Sequence, residues 1–373
     1  MIRAALVCAM SSQLIAPFAI AQVVKPAGVP VSAPTDPVVP VIPAPLPIPD
    51  TETKSNTPNI ATVQKFIRED VIRLSSENAI ASSSARSDMI AASASKPDQP
   101  ASAPYLGLYL QTLSTELQPV LAKKPSVRIK VNVGILTARV CENCKEILPP
   151  GIPMQSVIVS LLKDENDAVA LWGMKAASAA LTAKNQSVPI DGLVKEIIPA
   201  VKAHKLNGAI TDEAYNALQD QNPIVIRKLM ELYDLRAAAY KDGVPSDPSA
   251  DKGALSLTVQ EGAWGKLTPA EQAKVMNRIA DVLSASSHAL LKDEANGPQI
   301  RVLVKYTCQS VYVVTAKNQP ELSAQALAAA NKLSDNTPPA VVVQRIDPIV
   351  DGVRKAFPQN AAMGDAKSIP GKP

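Results

Sequence analysis

Cys141 and Cys144, in the motif Cys-Glu-Asn-Cys, are the residues of this chain whose spacing best suits chemistry. Thiols three residues apart can reach the same side of a helix, where they can form a disulfide, act as a redox pair or bind a metal. A zinc site needs about four ligands. The remaining candidates, Cys308, His204 and His288, are scattered along the sequence. We therefore predict no metal site and no cofactor.

The position of the cysteine pair limits its reactivity. The apolar run 127–140 predicts a helix that ends just before the pair, so both thiols would lie at a helix C-terminus. The helix dipole disfavours a thiolate there, whereas redox pairs use a helix N-terminus. We predict a local structural disulfide between Cys141 and Cys144. Two alternatives stay open: the thiols are reduced or mispaired, or they carry redox or cofactor chemistry.

Other candidate motifs lack parts that their chemistry requires. The chain has no G-x-S-x-G elbow for a Ser-His-Asp triad. The run 262–266 lacks the first Gly of a phosphate loop and the Ser or Thr after its Lys. We expect His204 to lie near a helix end, and Trp172 and Trp264 to pack in the core or on a helix ridge. The sequence predicts a protein that is not an enzyme.

The first 21 residues have the pattern of a secretory signal peptide. Arg3 gives a positive start, residues 4–20 are mostly apolar, and Ala19-Ile20-Ala21 is a small-residue cleavage site. We predict cleavage after Ala21 and a secreted or periplasmic mature protein. No later run of about 18 apolar residues follows, so we expect no transmembrane helix after cleavage.

Residues 22–59 are rich in Pro, Val and Ala, with Pro-Val-Val-Pro-Val-Ile-Pro-Ala-Pro-Leu-Pro-Ile-Pro at 37–49. Proline at this density is incompatible with a helix and removes the donors of a sheet. We predict a disordered or polyproline-II-like linker, suited either to tethering the folded part to a wall or membrane or to acting as a plain spacer.

The composition favours a helical core. Hydrophobic residues make up 46% of the chain but aromatic residues only 3%, so Ala, Leu, Ile and Val must build the core. Small side chains suit helix-on-helix packing better than strands, which favour aromatics. The net charge of +4 is spread along the chain without a Lys/Arg block, so we expect no nucleic-acid partner.

Apolar residues recur at helical spacing through most of the chain after the Pro-rich segment. We predict helical repeats at 60–240, a polar linker or long exposed loop at 241–253 and further helical repeats at 254–335. A short helix and a disordered tail follow at 336–373. The predicted helices cover 60–74, 78–95, 104–119, 127–140, 154–162, 169–181, 193–201, 210–218, 224–240, 268–283, 300–314, 322–333 and 347–357.

Two stretches of the chain repeat each other. Leu-Leu-Lys-Asp-Glu-Asn at 161–166 recurs as Leu-Leu-Lys-Asp-Glu-Ala-Asn at 290–296, each between two apolar runs. Such self-similarity is typical of stacked helical hairpins, in which each hairpin buries its apolar face on the next. We therefore predict an all-α protein with an α-solenoid arrangement of antiparallel hairpins.

The stretch Asp-Ala-Val-Ala-Leu-Trp-Gly-Met-Lys-Ala-Ala at 167–177, after Val-Ile-Val-Ser-Leu-Leu-Lys-Asp at 157–164, resembles a HEAT-type repeat. In that family an apolar pair and a short acidic turn precede a second helix that opens with Val and Lys or Arg. The openings at 127–132 and 300–305 are similar. With its signal peptide and Pro-rich segment, the chain resembles secreted bacterial HEAT-like proteins of unassigned function. The resemblance implies a protein-binding or scaffolding role and supplies no catalytic residues.

The sequence therefore predicts a non-enzymatic scaffold that binds a protein or another envelope partner through its helical repeats. One alternative is a thiol-redox or cofactor protein that works through Cys141 and Cys144. Another is a structural component associated with the cell wall. The identity of the partner, the residues of its binding face, the oligomeric state and the redox state of Cys308 do not follow from the sequence.

Overall fold

Helices form the regular structure in the part of the chain that the computed structural model describes. That part comprises residues 60–95, 101–146, 153–182, 191–219, 222–240, 243, 245, 247–255, 258, 264–292 and 297–358. It lies within one compact unit, Leu46–Pro373. No strand occurs among these residues, so the predicted all-α class is confirmed. The predicted signal peptide, the Pro-rich segment 22–59 and most of the predicted tail lie outside the described residues.

The described residues form thirteen α-helices and one 3₁₀ helix. In chain order these are α1 Ile60–Leu74, α2 Ala79–Ser93, α3 Ala103–Ala122, α4 Val127–Cys144, α5 Gln155–Leu162, α6 Asp167–Leu181, α7 Asp191–Ala203, α8 Gly208–Ala217, α9 Pro223–Ala239, the 3₁₀ helix Pro248–Leu255, α10 Pro269–Ala289, α11 Gly297–Thr315, α12 Pro320–Lys332 and α13 Pro339–Ala356.

The helix starts follow local capping chemistry. Thr268 caps α10, which was predicted to begin there: its Oγ1 accepts a hydrogen bond from the Glu271 backbone N–H, and the Glu271 carboxylate accepts one from the Thr268 backbone N–H. These two hydrogen bonds satisfy donors that a helix start otherwise leaves unpaired. Asparagine side chains cap four other helices by accepting hydrogen bonds from backbone N–H groups of the first turn, at Asn78, Asn166, Asn207 and Asn222.

Most helices differ from their predicted bounds by one to four residues, and α4 continues to Cys144 instead of ending at residue 140. Two helices differ by more than four residues. The α10 helix continues to Ala289, beyond the predicted end near residue 283, and α13 begins at Pro339 rather than near residue 347. Pro339 occupies the first helical position of α13, where the missing N–H of proline costs no hydrogen bond.

The run 300–314 has strand-like composition but lies within α11, as predicted. Its buried residues recur every three or four positions, including Ile300, Leu303, Val304 and Val311. This spacing places them on one face of a helix, and burial of that face outweighs the weak strand preference of Val and Tyr.

The helices pack in two rows, with contacts mainly between near neighbours. The first row consists of α1, α3, α5, α7, α9, α10 and α13, and each helix contacts the next one in this order. In the second row α2, α4, α6, α8, the 3₁₀ helix, α11 and α12 contact one another in the same way. Each member of the first row also contacts the member of the second row beside it in the chain. The chain thus advances by hairpins.

Small residues bring adjacent helices close together. A Cβ atom added at Gly173 of α6 would lie 2.9 Å from the backbone nitrogen of Leu162 at the end of α5. One at Gly134 of α4 would lie 2.7 Å from the Trp172 Cβ on α6. Only glycine permits these approaches, so both positions set the spacing between neighbouring helices.

The 3₁₀ helix takes a place in the second row that an α-helix fills elsewhere. Residues 241–253 were predicted to be a polar linker or an exposed loop, yet Ala250 and Asp251 are buried. The segment is buried because the Asp251 carboxylate faces Arg236 of α9. The Arg236 Nε and Nη2 atoms donate to Asp251 Oδ1 and Oδ2 at 2.7 and 2.9 Å.

A complete set of hydrogen bonds surrounds this ion pair. The hydroxyls of Tyr215 and Tyr240 donate to the two oxygens of Asp251 at 3.1 and 2.6 Å. Arg236 also donates to the backbone carbonyls of Leu206 and Asp247. A buried ion pair is tolerated when its partners satisfy every charge and lone pair in this way.

Arg236→Met should destabilise the fold strongly, by about 3–5 kcal/mol, because it leaves the Asp251 carboxylate buried without a cation. The measurement is the free energy of unfolding from urea denaturation. Arg236→Met combined with Asp251→Leu should cost less than the sum of the two single changes. Arg354→Met removes a pair that is 48% and 35% exposed and serves as the control, with an expected cost below about 1 kcal/mol. A loss below 1 kcal/mol for Arg236→Met would contradict the assignment.

Candidate binding groove

A groove of about 280 Å³ runs between α4 and α6 on the second row of helices. Ala138, Arg139, Glu142 and Lys145 line it from α4 and the residue that follows α4, and Glu213 lines it from α8. Trp172, Lys175, Ser178, Ala179 and Thr182 line it from α6 and the residue that follows α6.

The floor and walls of the groove follow from helical spacing. Residues 138, 142 and 145 are three or four positions apart and therefore share one face of α4. Residues 172, 175 and 179 share a face of α6 for the same reason. The small side chains of Ala138 and Ala179 leave the space that the longer side chains enclose. Gly134 allows the Trp172 side chain to pack close against α4.

Charged side chains dominate the walls. The Lys175 ammonium lies 4.8 Å from the centre of the Trp172 ring, a cation–π contact, and 3.8 Å from the Glu213 carboxylate. Burial raises the pKa of Glu213, an effect that the charge of Lys175 partly offsets. Lys145 follows the last residue of α4, where a cation offsets the negative end of the helix dipole.

Arg139 and Glu142 form an ion pair at 2.7 Å on the opposite wall, with side chains 53% and 51% exposed. Exposed pairs of this kind contribute about 0–1 kcal/mol, so they can exchange partners at little cost. The groove therefore offers one aromatic ring and several exchangeable charges.

The size and chemistry of the groove suit recognition of part of a partner. Its volume is slightly below the range of about 300–1,000 Å³ that is typical of small-molecule sites. No histidine or cysteine lines it, and the Thr182 hydroxyl donates to the Ser178 carbonyl rather than to a base. A polar groove of this size can take one or two side chains of a bound protein.

Cys141 and Cys144 lie on the buried side of α4, away from the groove. Both are free thiols, and they are 1% and 0% exposed. Their position at the C-terminal end of a helix agrees with the sequence analysis. Burial raises the pKa of Cys141 well above its usual value and that of Cys144 to about 12. The predicted disulfide is not formed in the structure and stays a prediction.

Cys308 is a third buried free thiol, on α11. Burial raises its pKa to about 12. Among the described residues, no group of three or more His, Cys, Asp or Glu side chains could hold a metal ion. No described helix combines the length and apolar character that crossing a membrane requires.

The two histidines lie at separate places. His204 is buried after the end of α7, where its Nδ1 lies 2.7 Å from Asp167 Oδ1, and the Asn207 side chain donates to the other oxygen of Asp167. These hydrogen bonds fix the turn into α8. The hydrogen bond with His204 is the main cause that lowers the pKa of Asp167. His288 is half exposed on α10, and its Nδ1 lies 2.9 Å from the Ser284 carbonyl.

The groove was not predicted from the sequence. Trp172 was expected to pack in the core or on a ridge, and it is partly exposed at the groove wall. Polar residues at 139, 142 and 145 on α4, and at 175 and 178 on α6 after Trp172, recur at helical spacing. That spacing indicated a polar face on each helix. The two faces form a groove only because α4 and α6 pack side by side. Trp264 is partly buried and its carbonyl accepts a hydrogen bond from Gln272.

Comparison with known proteins gave no match: no family model, no curated protein and no solved structure is significantly similar to the chain. The HEAT-like resemblance is therefore supported only by the residues on which it was first based.

Cys141, Cys144 and Cys308 should not react with Ellman's reagent at neutral pH in the native state, because burial keeps their thiols protonated and out of reach. For a chain expressed from Gln22 onwards, which lacks Cys8, the free thiols of the structure predict a count of three in denaturant without reductant. A count of one would show the disulfide predicted from the sequence. Fast reaction of Cys141 or Cys144 in the native protein would instead support redox chemistry and contradict the burial described above.

Proposed function

We propose that the protein is a non-enzymatic scaffold of the cell envelope that binds a protein partner through an α-solenoid of HEAT-like hairpins. The packing of helices in two rows, each mainly against its neighbours, supports the solenoid arrangement. The predicted signal peptide supports an envelope or extracellular location.

The observation that carries the proposal is the groove between α4 and α6. Interfaces favour Trp and Arg at their centres, and both occur in this groove, Trp172 beside Lys175 and Arg139 beside Glu142. Charged walls provide orientation, and the exposed ion pair can rearrange to meet a charge on the partner. The burial of Cys141 and Cys144 does not favour the alternative of thiol-redox chemistry, because their raised pKa values leave little thiolate at neutral pH.

Site-specific photocrosslinking tests the proposal. A benzophenone amino acid at position 145, in the groove, is compared with one at position 65, which is 76% exposed on α1 of the first row. The full mature chain is exposed to the envelope fraction of its source organism. We expect one reproducible protein partner from position 145 and none from position 65.

The combined change Arg139→Gln and Lys145→Gln should lower the yield of this crosslinked partner about tenfold, as expected for the loss of about 1.4 kcal/mol of binding free energy. Lys65→Gln is the matched control, because it removes an exposed cation from the other row and should leave the yield unchanged. The proposal fails if no partner is captured, or if both positions capture the same proteins equally.

A further inference from the structure

The Asp70 carboxylate on α1 is fully buried and incompletely paired. Its Oδ1 lies 2.5 Å from Arg73 Nη1, one turn further along the same helix. Its Oδ2, together with Arg73 Nε, is buried without a hydrogen-bond partner among the described residues. A buried carboxylate with one unsatisfied oxygen carries a large desolvation cost when it is charged.

Besides Asp70, Arg73 also contacts groups on α2. Its Nη1 also lies 3.4 Å from Asp88 Oδ2 on α2, and its Nη2 donates to the Ser84 hydroxyl at 3.2 Å. One guanidinium therefore faces two carboxylates, one from each helix of the first hairpin. When both are ionised, the cluster has an excess negative charge inside the hairpin.

Among the described residues of the other helices packed on α1, no further cation acts on Asp70. Tyr109 of α3 faces Asp70 as a neutral phenol, and its hydroxyl donates to the Met89 carbonyl. Cys144 of α4 faces Tyr109 as a neutral thiol. Glu69, the next acidic residue on α1, adds a second negative charge near Asp70.

These surroundings make protonation of Asp70 favourable. Burial raises its pKa from 3.8 to about 6, although the charge and hydrogen bond of Arg73 lower it in part, and Asp88 and Glu69 raise it further. A neutral carboxyl loses less solvation free energy on burial than a charged one. When Asp70 is neutral, the charge of Arg73 has only the Asp88 carboxylate to balance.

We propose that Asp70 is a proton-operated latch on the first hairpin: the protonated carboxyl holds α1 closed against α2 and α3, and loss of the proton favours release of α1. The α1 helix is suited to this role because it is the first described member of its row and contacts mainly α2 and α3. Its release would expose the apolar side chains of Val63, Phe66 and Ile67, which are buried in the closed state.

The direction of the pH dependence follows from linkage. The pKa of Asp70 is higher in the closed state than in the open state, so the closed state binds the proton more tightly. The latch is therefore strongest below about pH 4 and weakens as the pH rises to about 6 and slightly above. The two values, 3.8 and about 6, limit the effect to about a hundredfold in the opening equilibrium.

Amide hydrogen exchange of the mature protein between pH 5 and pH 8, corrected for the intrinsic rate at each pH, tests the latch. Protection of the α1 amides should fall by about tenfold over this range, whereas protection of the α11 amides should stay constant. Asp70→Asn, which mimics the neutral carboxyl, should remove the pH dependence and keep α1 protected at pH 8. Glu69→Gln, at a carboxylate 48% exposed on the same helix, should retain most of the dependence.

Protection of α1 that does not change with pH, or an unchanged dependence in Asp70→Asn, would overturn the latch. If Asp70→Asn does not fold, an NMR titration of the Asp70 carboxyl in the wild-type protein tests the latch instead. A titration of Asp70 near pH 6 that moves together with α1 amide signals supports the latch, and a titration near 4 overturns it.

Discussion

The bidentate ion pair between Arg236 and Asp251 is the interaction on which the continuity of this fold depends. It draws a polar segment of the chain into the second row of helices, between α8 and α11. Without a neutralising partner, Asp251 could not occupy a position with no exposed surface. The guanidinium also holds the carbonyl of Leu206, a residue with positive φ, and so connects the turn between α7 and α8 to the same centre.

The same type of interaction is incomplete in the first described hairpin, α1 and α2. Asp251 receives two guanidinium hydrogen bonds and two tyrosine hydroxyls, whereas Asp70 has one contact with an arginine that a second carboxylate shares. Stability in a row of near-neighbour contacts is roughly a sum of local terms. Asp251 is thus fully hydrogen-bonded between neighbouring helices, whereas Asp70 keeps one unpaired oxygen in the first described hairpin, where we propose that α1 can open. The groove between α4 and α6 lies between these two regions.

Much of the helical structure was predictable because the apolar residues repeat at a helical period and the caps have specific side chains. Thr268 and Glu271 marked the start of α10, and the apolar spacing of 300–314 outweighed its strand-like composition. The buried 3₁₀ helix was not predictable in the same way. Its sequence is polar, and only the distant Arg236, Tyr215 and Tyr240 make that polarity compatible with burial. The groove also depends on pairing between helices, since neither α4 nor α6 forms it alone. The HEAT-like resemblance and the scaffold role remain predictions.

Hydrogen exchange of the segment 248–255 in the wild-type protein tests whether Arg236 and Asp251 make this polar segment a buried member of the second row. We expect slow exchange, with protection similar to that of α8 and α9, which contact the segment, and loss of that protection when Arg236 is replaced by Met. Exchange of 248–255 at the rate of an unfolded peptide, while α8 and α9 stay protected, would show an exposed linker and rule out this role of the ion pair.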